Sequence, residues 1–505
     1  MMRLFGTDGV RGRISEEEAS DPLGRYLNER IFSKEICGEL AYCASMLSGE
    51  GEILVGWDRR PFNSDKAEYI VRYLGPSNRK VTLLGEITTP ALQFEMTYRQ
   101  SVLGIMITAS HNPSTDSGIK IIFGNGRKPT KEEEMNIESM VFQHNREVSP
   151  DYKSLYSPCD NYIHSISDRI LDLKEKEGFP RNRILIDGSG GWLSRWLADL
   201  MSSHDIDCKE VSSIKSPIND NSGAGSLSKK KISWLECRES SHALLKEIVP
   251  VPSGTIIGFS FDGDGDRCYM IYSDGDSACV AGGDEFTRLF LLDYLEKGEF
   301  TVTLTIESSL DLCEKIESSG TGKVIQTGVG DRWLQHAIMK DNRGLKIGTE
   351  PSGHVVLRHS AGKETGYWGD GVVTMIEYLD LIKNLGPEWI EDINPNSGFT
   401  INRSIFPSIR DNWKPDSDAS DSVIRTVSDA FSISSKEVEI IDVEGEDSLL
   451  LLRVNDGKEW SIAVRNSGTE PKTRVTLRTT SDDMERGVLL VEEIIGLLRP
   501  VLDVK

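Results

Sequence analysis

Arg183-Ile184-Leu185-Ile186-Asp187-Gly188-Ser189-Gly190-Gly191 carries a short apolar run straight into a cluster of small residues. This is the pattern of a buried strand entering the strand-to-helix turn of a doubly wound sheet. The Gly-x-Gly-x-x-Gly spacing of a dinucleotide loop is missing, so the turn reads as tight backbone packing and not as a nucleotide site.

Working outward, the same rhythm of strand and helix recurs. Upstream, strand-like runs at 53–56, 80–84 and 102–108 alternate with helical stretches such as 34–47, giving a first unit over 1–153. The stretch Lys131-Glu132-Glu133-Glu134 reads as a solvated helix start. The opening stretch itself belongs to a second unit, 154–277, in which Ile256-Ile257-Gly258-Phe259-Ser260-Phe261 delivers the chain to Asp262. A third, 278–392, is predicted from helix 285–295, strand 300–306 and helix 310–318. From 393 to 505 the texture changes. Asn394-Pro395-Asn396-Ser397-Gly398 and Lys414-Pro415-Asp416-Ser417-Asp418 are loop chemistry, strands at 449–454 and 460–464 flank an Asn455-Asp456-Gly457 turn, and 484–498 is an amphipathic helix. Three α/β domains and a smaller α+β domain are expected.

Length and composition agree with several domains. The chain has 505 residues, 38% hydrophobic and 27% charged, and no run approaches the ~18 apolar residues that span a bilayer. Met1-Met2-Arg3-Leu4-Phe5-Gly6-Thr7 meets Asp8 before any apolar segment of signal-peptide length, so a cytoplasmic protein is expected. Eight cysteines are scattered without a Cys-x-x-Cys pair, which points to reduced, mostly buried thiols. A formal net charge of -22 disfavours nucleic acid and anionic membranes as partners. An anionic substrate would therefore need a local concentration of cations.

Four stretches carry chemistry. In Asp262-Gly263-Asp264-Gly265-Asp266-Arg267, three carboxylates at alternate positions can aim hard oxygen ligands at one divalent cation. An EF-hand fails on spacing, because its glycine position holds Arg267 and its bidentate glutamate position holds Ser273. Few protein ligands with room left for water or phosphate oxygen suit Mg2+. Arg465-Asn466-Ser467-Gly468-Thr469-Glu470-Pro471-Lys472-Thr473-Arg474 supplies the cations: from Arg465 to Arg478 four of them stand against Glu470 alone, a plausible phosphate cradle. Gly348-Thr349-Glu350-Pro351-Ser352-Gly353-His354 groups a carboxylate, a hydroxyl and an imidazole suited to sugar hydroxyls. Thr108-Ala109-Ser110-His111-Asn112-Pro113, a polar turn by itself, sets a hydroxyl beside an imidazole at the end of a strand and makes Ser110 the candidate reactive group. Phe5-Gly6-Thr7-Asp8-Gly9-Val10-Arg11-Gly12 adds a Gly-rich loop with one arginine.

Together, and in their order along the chain, these stretches resemble the α-D-phosphohexomutase family over nearly the whole chain. The opening loop and Val329-Gly330-Asp331-Arg332 look most like the family's bacterial amino-sugar branch. The resemblance implies three related α/β domains with mixed sheets and a C-terminal α+β lid around a central cleft. It implies that Ser110 carries a phosphate, that Asp262, Asp264 and Asp266 hold Mg2+ with the Ser110 phosphate as a further ligand, and that a sugar 1,6-bisphosphate is activator and intermediate. Arg11 and Arg267 would stabilise the transferring group, and Lys120 in Gly118-Ile119-Lys120 matches a possible general acid/base, with His111 and His354 as further candidates that sequence does not rank. Glu350 and Ser352 would grip the sugar, and Arg465, Ser467, Gly468, Thr469 and Arg474 the phosphate that is not reacting. The implied reaction interconverts glucosamine 6-phosphate and glucosamine 1-phosphate. Phosphomannomutase or phosphoglucomutase activity, or phosphosugar binding without turnover, are the alternatives. The partner is a small sugar phosphate, and the oligomeric state stays open between monomer and homodimer. Asn466 replaces an expected Pro, Thr349 and Pro351 replace an expected Gly and Gln, and there is extra length around 229–252 and in the last domain.

Overall fold

The structure is a computed structural model. It describes all residues except 1–3, 16, 18–19, 76–78, 144–147, 150–151, 153, 176–181, 228, 296, 384, 386–388, 394–397, 468–470 and 504–505. The loop at 394–397 and the residues Gly468 and Thr469 therefore lie outside the described residues.

Four sheets follow one another along the chain. The first runs in the order Val10–Arg13, Asp116–Phe123, Leu103–Ile107, Ile53–Trp57, Val81–Glu86, Leu155–Tyr156. The three pairs from Leu103–Ile107 to the Leu155–Tyr156 edge are parallel, and the two pairs at the Val10–Arg13 end are antiparallel. The edge strand Leu155–Tyr156 carries this sheet just past residue 153. The second sheet is Cys208–Glu210, Ile184–Asp187, Ile256–Phe261, Cys268–Ser273, Ser277–Ala281, Lys231–Ser233, and the third is Gly322–Thr327, Phe300–Thr305, Leu345–Thr349, Val355–Ala361, Glu364–Gly369. Both are mixed. The fourth, Phe399–Ile405, Thr473–Thr479, Glu459–Asn466, Leu450–Asn455, Glu439–Ile441, is antiparallel throughout and packs helices Asp418–Phe431 and Met484–Leu502 on one side.

The apolar runs decide which faces meet. One continuous core joins the first three sheets, from Leu54, Met106 and Phe94 through Ile186 and Phe259 to Val302 and Trp368. The opposite face of the first sheet has its own core under helices Lys34–Leu47 and Asn63–Leu74. The C-terminal sheet builds a separate core around Trp413, Trp460 and Ile494. It meets the third unit through a small cluster of Ile306, Leu449, Leu451 and Ala463. A domain with its own core and a small apolar seam to its neighbour is the kind that can move as a body.

The opening turn is structural. Asp187 accepts hydrogen bonds from the Ser189 and Gly223 amides and the Ser260 hydroxyl, which closes the loop on itself. The extra length around 229–252 adds edge strand Lys231–Ser233 and helix Trp234–Glu239, capped reciprocally by Ser233 and Glu236, and covers the second sheet with Ile232, Cys237, Leu244 and Ile248. One expectation is corrected. The acidic run at 131–134 does start a helix, Lys131–Met140, with Glu133 closing a capping box on Thr130 and binding Arg127, but it is not solvated throughout, because Glu134 is buried against Arg332. Burial pushes the Glu134 carboxyl up to about 7. All eight cysteines are unbridged and seven are buried. Among the described residues no helix is long and apolar enough to cross a membrane.

Candidate active site

Leu103–Ile107 ends at Thr108, and the chain then turns so tightly that Ser110 sits at φ 53°, left-handed backbone that a serine adopts only when its surroundings impose it. A buried clamp does so. Asp58, at the end of strand Ile53–Trp57, holds the Arg60 guanidinium at 2.9 Å and accepts from Thr108 Oγ1 and Asn63 Nδ2. Arg60 in turn donates to the carbonyls of Ser110 at 2.5 Å, Asn112 at 2.8 Å and Asp116 at 3.1 Å, and also to Pro113. Asn219 from the second unit donates to the Ser110 and Asn112 carbonyls at 2.7 and 2.9 Å. The loop is thus fixed by its backbone, which leaves the Ser110 side chain for other work.

Ser110 Oγ donates to Asp262 Oδ2 at 2.8 Å and lies 3.5 Å from His111 Nδ1. Strand Ile256–Phe261 ends at Asp262, and the loop curls through Gly265, whose φ of 71° needs a glycine, so that Asp262, Asp264 and Asp266 converge. All three are buried, and one oxygen of each lies within 4.8 Å of the others. Asp264 Oδ1 and Asp266 Oδ1 are buried without a hydrogen-bond partner. Orphaned anionic oxygens are costly in a protein interior, and a divalent cation is the partner that satisfies several at once. This donor set fits Mg2+.

Cations surround the carboxylates. Lys120, on strand Asp116–Phe123, places its ammonium 2.5 Å from Asp266, 2.7 Å from Asp264 and 2.8 Å from Asp8 of the opening loop. Lys128 reaches Asp8 and Asp331. Burial opposes the Lys120 charge, but Asp264, Asp266 and Asp8 outweigh it and hold its pKa well above the usual lysine range. Arg11 donates to the Ala109 carbonyl at 3.3 Å and to Asn112 Oδ1 at 3.4 Å, beside a cavity of about 500 Å³ also lined by His111 and Asp116. Arg267 donates to His354 Nε2 at 2.9 Å, and His354 Nδ1 faces Asp266 Oδ1 at 3.7 Å. The Arg267 charge, burial and Arg11 push the His111 imidazole down to about 2. At neutral pH the cluster therefore presents a charged Lys120 and a neutral His111.

Glu350, after strand Leu345–Thr349, accepts from the Gly330 amide at 2.9 Å and from Ser352 Oγ at 2.5 Å. Gly330 has a φ of 119°, which only glycine adopts without strain, and that links the Val329–Arg332 stretch to the Glu350 loop. Of the two departures here, Thr349 faces inward and Pro351 is half-buried. Thr349 is fully buried with its hydroxyl 2.7 Å from that of Thr287, and the Pro351 carbonyl accepts from the Tyr269 hydroxyl.

In the C-terminal sheet Arg465 and Arg474 are register partners on adjacent strands, and both donate to Glu307 Oε1 at 2.7 Å. Ser467 accepts at its carbonyl from Arg410. Asn466 uses its side chain where Pro could not, donating to the Arg410 carbonyl at 2.9 Å and accepting from Thr473 at 2.8 Å. Arg478 lies farther along its strand, buried on the Ser308 carbonyl and Ser461, so its charge serves the interdomain seam and not the cradle. A pocket of about 310 Å³ separates Arg465 and Ser467 from Thr7, Val329 and Arg332.

Sequence reasoning missed Asp8, Asp58, Arg60, Asn219 and Glu307 as parts of the site. Asp8 lay inside a quoted loop; the other four come from segments with no local signature.

Comparisons with known proteins converge on one family. Two models of it match: phosphoglucomutase/phosphomannomutase alpha/beta/alpha domain I over residues 2–147 and domain III over residues 282–393, together just over half of the chain. A phosphoglucosamine mutase of Bacillus pumilus is 28% identical over 495 residues, covering 96% of each chain. One from Ligilactobacillus salivarius is 28% identical over 402 residues, 77% of this chain and 80% of that one. A crystal structure of a phosphoglucomutase/phosphomannomutase family protein from Burkholderia thailandensis shares the fold, with TM-score 0.69 and 16% identity over 99% of this chain and 97% of that one.

Proposed function

The chain belongs to the α-D-phosphohexomutase family, and from that premise we propose that it interconverts glucosamine 6-phosphate and glucosamine 1-phosphate, with Ser110 as the phosphate carrier. The observation that carries this reading is the 2.8 Å contact from Ser110 Oγ to Asp262, in a loop whose other two aspartates keep unpartnered oxygens. On this reading the four sheets stand for four domains, at 1–153, 154–277, 278–392 and 393–505.

In the first half-reaction the bond from phosphorus to Ser110 Oγ breaks and one forms to a hydroxyl of the sugar monophosphate, whose proton is passed on to the departing Ser110 oxygen, giving the 1,6-bisphosphate and a free serine hydroxyl. The sugar then turns over, and its other phosphoryl group returns to Ser110. Asp262, Asp264 and Asp266 would hold Mg2+, with a phosphate oxygen on Ser110 as a further ligand. When bound, the ion supplies Lewis-acid stabilisation of the charge on the transferring group. Arg11 and Arg267 add fixed positive charge on the same side. Lys120 is the proton donor we favour on position, because its ammonium lies 2.5 Å from Asp266 and 2.7 Å from Asp264 in the cluster that also holds Ser110, whereas the depressed His111 is too weakly basic to take a proton at neutral pH. His354 orients Arg267. Glu350 and Ser352 would accept from and donate to the sugar hydroxyls in either orientation, and Arg465, Ser467, Gly468, Thr469 and Arg474 would hold the distal phosphate. The sequence features that favour the glucosamine substrate are the opening loop and the Val329–Arg332 stretch; of the two departures near Glu350, Thr349 is absorbed in the protein interior and Pro351 is half-buried, its carbonyl accepting from Tyr269.

The test is a coupled assay with Mg2+ and a trace of sugar bisphosphate across glucosamine, glucose and mannose 6-phosphates. The highest kcat/KM is expected for glucosamine 6-phosphate; a preference for mannose 6-phosphate would overturn the substrate and leave the mechanism standing. Arg465→Ala should raise KM for either isomer about 10- to 100-fold with little change in thermal midpoint, since charge-assisted phosphate contacts are worth about 1.5–3 kcal/mol. An unchanged KM would remove Arg465 from the cradle.

A further inference from the structure

Glu307 is a carboxylate placed where phosphate is meant to go. It follows strand Phe300–Thr305, whose neighbour Leu345–Thr349 leads into Glu350, so both glutamates emerge from the same end of the third sheet. A single oxygen, Oε1, accepts from Arg465 Nη2 and Arg474 Nη1, both at 2.7 Å. Those two arginines oppose each other across one register pair, so their forks converge on one point. The Arg478 guanidinium fixes the next residue, donating to the Ser308 carbonyl at 2.6 Å. Burial pushes the Glu307 carboxyl up, but Arg465 and Arg474 outweigh it, which keeps it ionised at neutral pH.

Two guanidinium groups against one carboxylate leave a surplus positive charge. A phosphate dianion brings more charge and three acceptor oxygens, and Arg forks match it bidentately. It therefore has the means to replace Glu307, but it must do so against an existing ion pair.

We propose that Glu307 is a built-in competitor for the distal phosphate, and that a phosphosugar enters the Arg465 and Arg474 cradle by exchange with this carboxylate. The proposal rests on the reading of those arginines as phosphate holders. Exchange has two consequences. The apparent affinity for phosphosugar is reduced by the fraction of molecules in which Glu307 holds the cradle. Because Glu307 belongs to the third unit and the arginines to the fourth, the same contact tethers the C-terminal domain until phosphate replaces it.

Glu307→Gln keeps the side chain's shape and removes its charge. If the carboxylate-held arrangement makes up about nine-tenths of the population, KM for glucosamine 6-phosphate and the inhibition constant for inorganic phosphate should both fall about tenfold, with kcat changing less. Calorimetric titration of inorganic phosphate into the full-length protein reads the same shift without turnover, and Glu307→Ala repeats it should the glutamine variant fold poorly. Phosphate affinity that is unchanged or weaker in both variants, while Arg465→Ala still weakens it, would make Glu307 an interdomain ion pair and nothing more. If Arg465→Ala and Arg474→Ala both leave phosphate affinity unchanged, the cradle reading itself fails and takes this proposal with it.

Discussion

Ser110→Ala is expected to lower turnover by about 10^4-fold or more while sugar-phosphate binding stays measurable. The substitution removes one oxygen from a residue whose position does not depend on it. Ser110 is held by its carbonyl, through Arg60 and Asn219, and by its amide, which donates to Thr108 Oγ1 at 2.8 Å. Alanine meets the same left-handed strain at φ 53° and no more. The loop should therefore keep its shape, with Asp262 losing a single donor. Intact-protein mass after incubation with glucose 1,6-bisphosphate should show a phosphate on the wild type and none on the variant, and calorimetry with glucosamine 6-phosphate should still show binding. Retained turnover, or a phosphorylated variant, would take Ser110 out of the phosphoryl relay.

What sequence could show about this site follows from how far apart its parts lie along the chain. Asp262, Asp264 and Asp266 fall within five residues, so their chemistry was readable as a loop, and the buried strand in front of them was readable from Ile256 to Phe261. The two cradle arginines were likewise visible as a local excess of charge. The carboxylate that binds them lies 158 and 167 residues away, and no local pattern marks Glu307 as anything but a strand-end residue. The same local excess misled over Arg478, because a strand carries side chains on one face away from one another at more than 3 Å per residue. Lys120 sits in the middle of a buried strand and entered only through the family resemblance. Its three carboxylate partners come from the first and second units, and only the packing of the first sheet against the second brings them to one point. The alternation of strands and helices was legible because apolar periodicity is local. The pairing order of the sheets was not, nor the fusion of three units over one core, since both depend on which faces meet.

The largest effect on stability is expected from Arg60→Ala. Arg60 is buried and satisfies Asp58 together with carbonyls from Ser110, Asn112 and Asp116. Removing one partner of a buried pair leaves an uncompensated charge and several unsatisfied oxygens, a loss of about 3–5 kcal/mol. Arg60→Lys should recover only part of it, because a single ammonium cannot span the carbonyls that a planar fork reaches. The loss should also depend on pH in a definite direction. Burial already raises the Asp58 carboxyl above its ordinary value against the pull of Arg60 and Thr108, and without Arg60 it should rise further. A carboxyl whose folded pKa lies above its unfolded one binds more protons when folded, so its contribution falls as pH rises from the unfolded pKa through the folded one. The Arg60→Ala deficit should therefore be smallest at the acid end of the range and grow as pH rises, with Asp58→Asn in the same chain relieving it at the upper end. Denaturant midpoints across that range test this. A deficit that stays flat with pH, or one that Asp58→Asn deepens, would mean that Asp58 is not the charge Arg60 compensates.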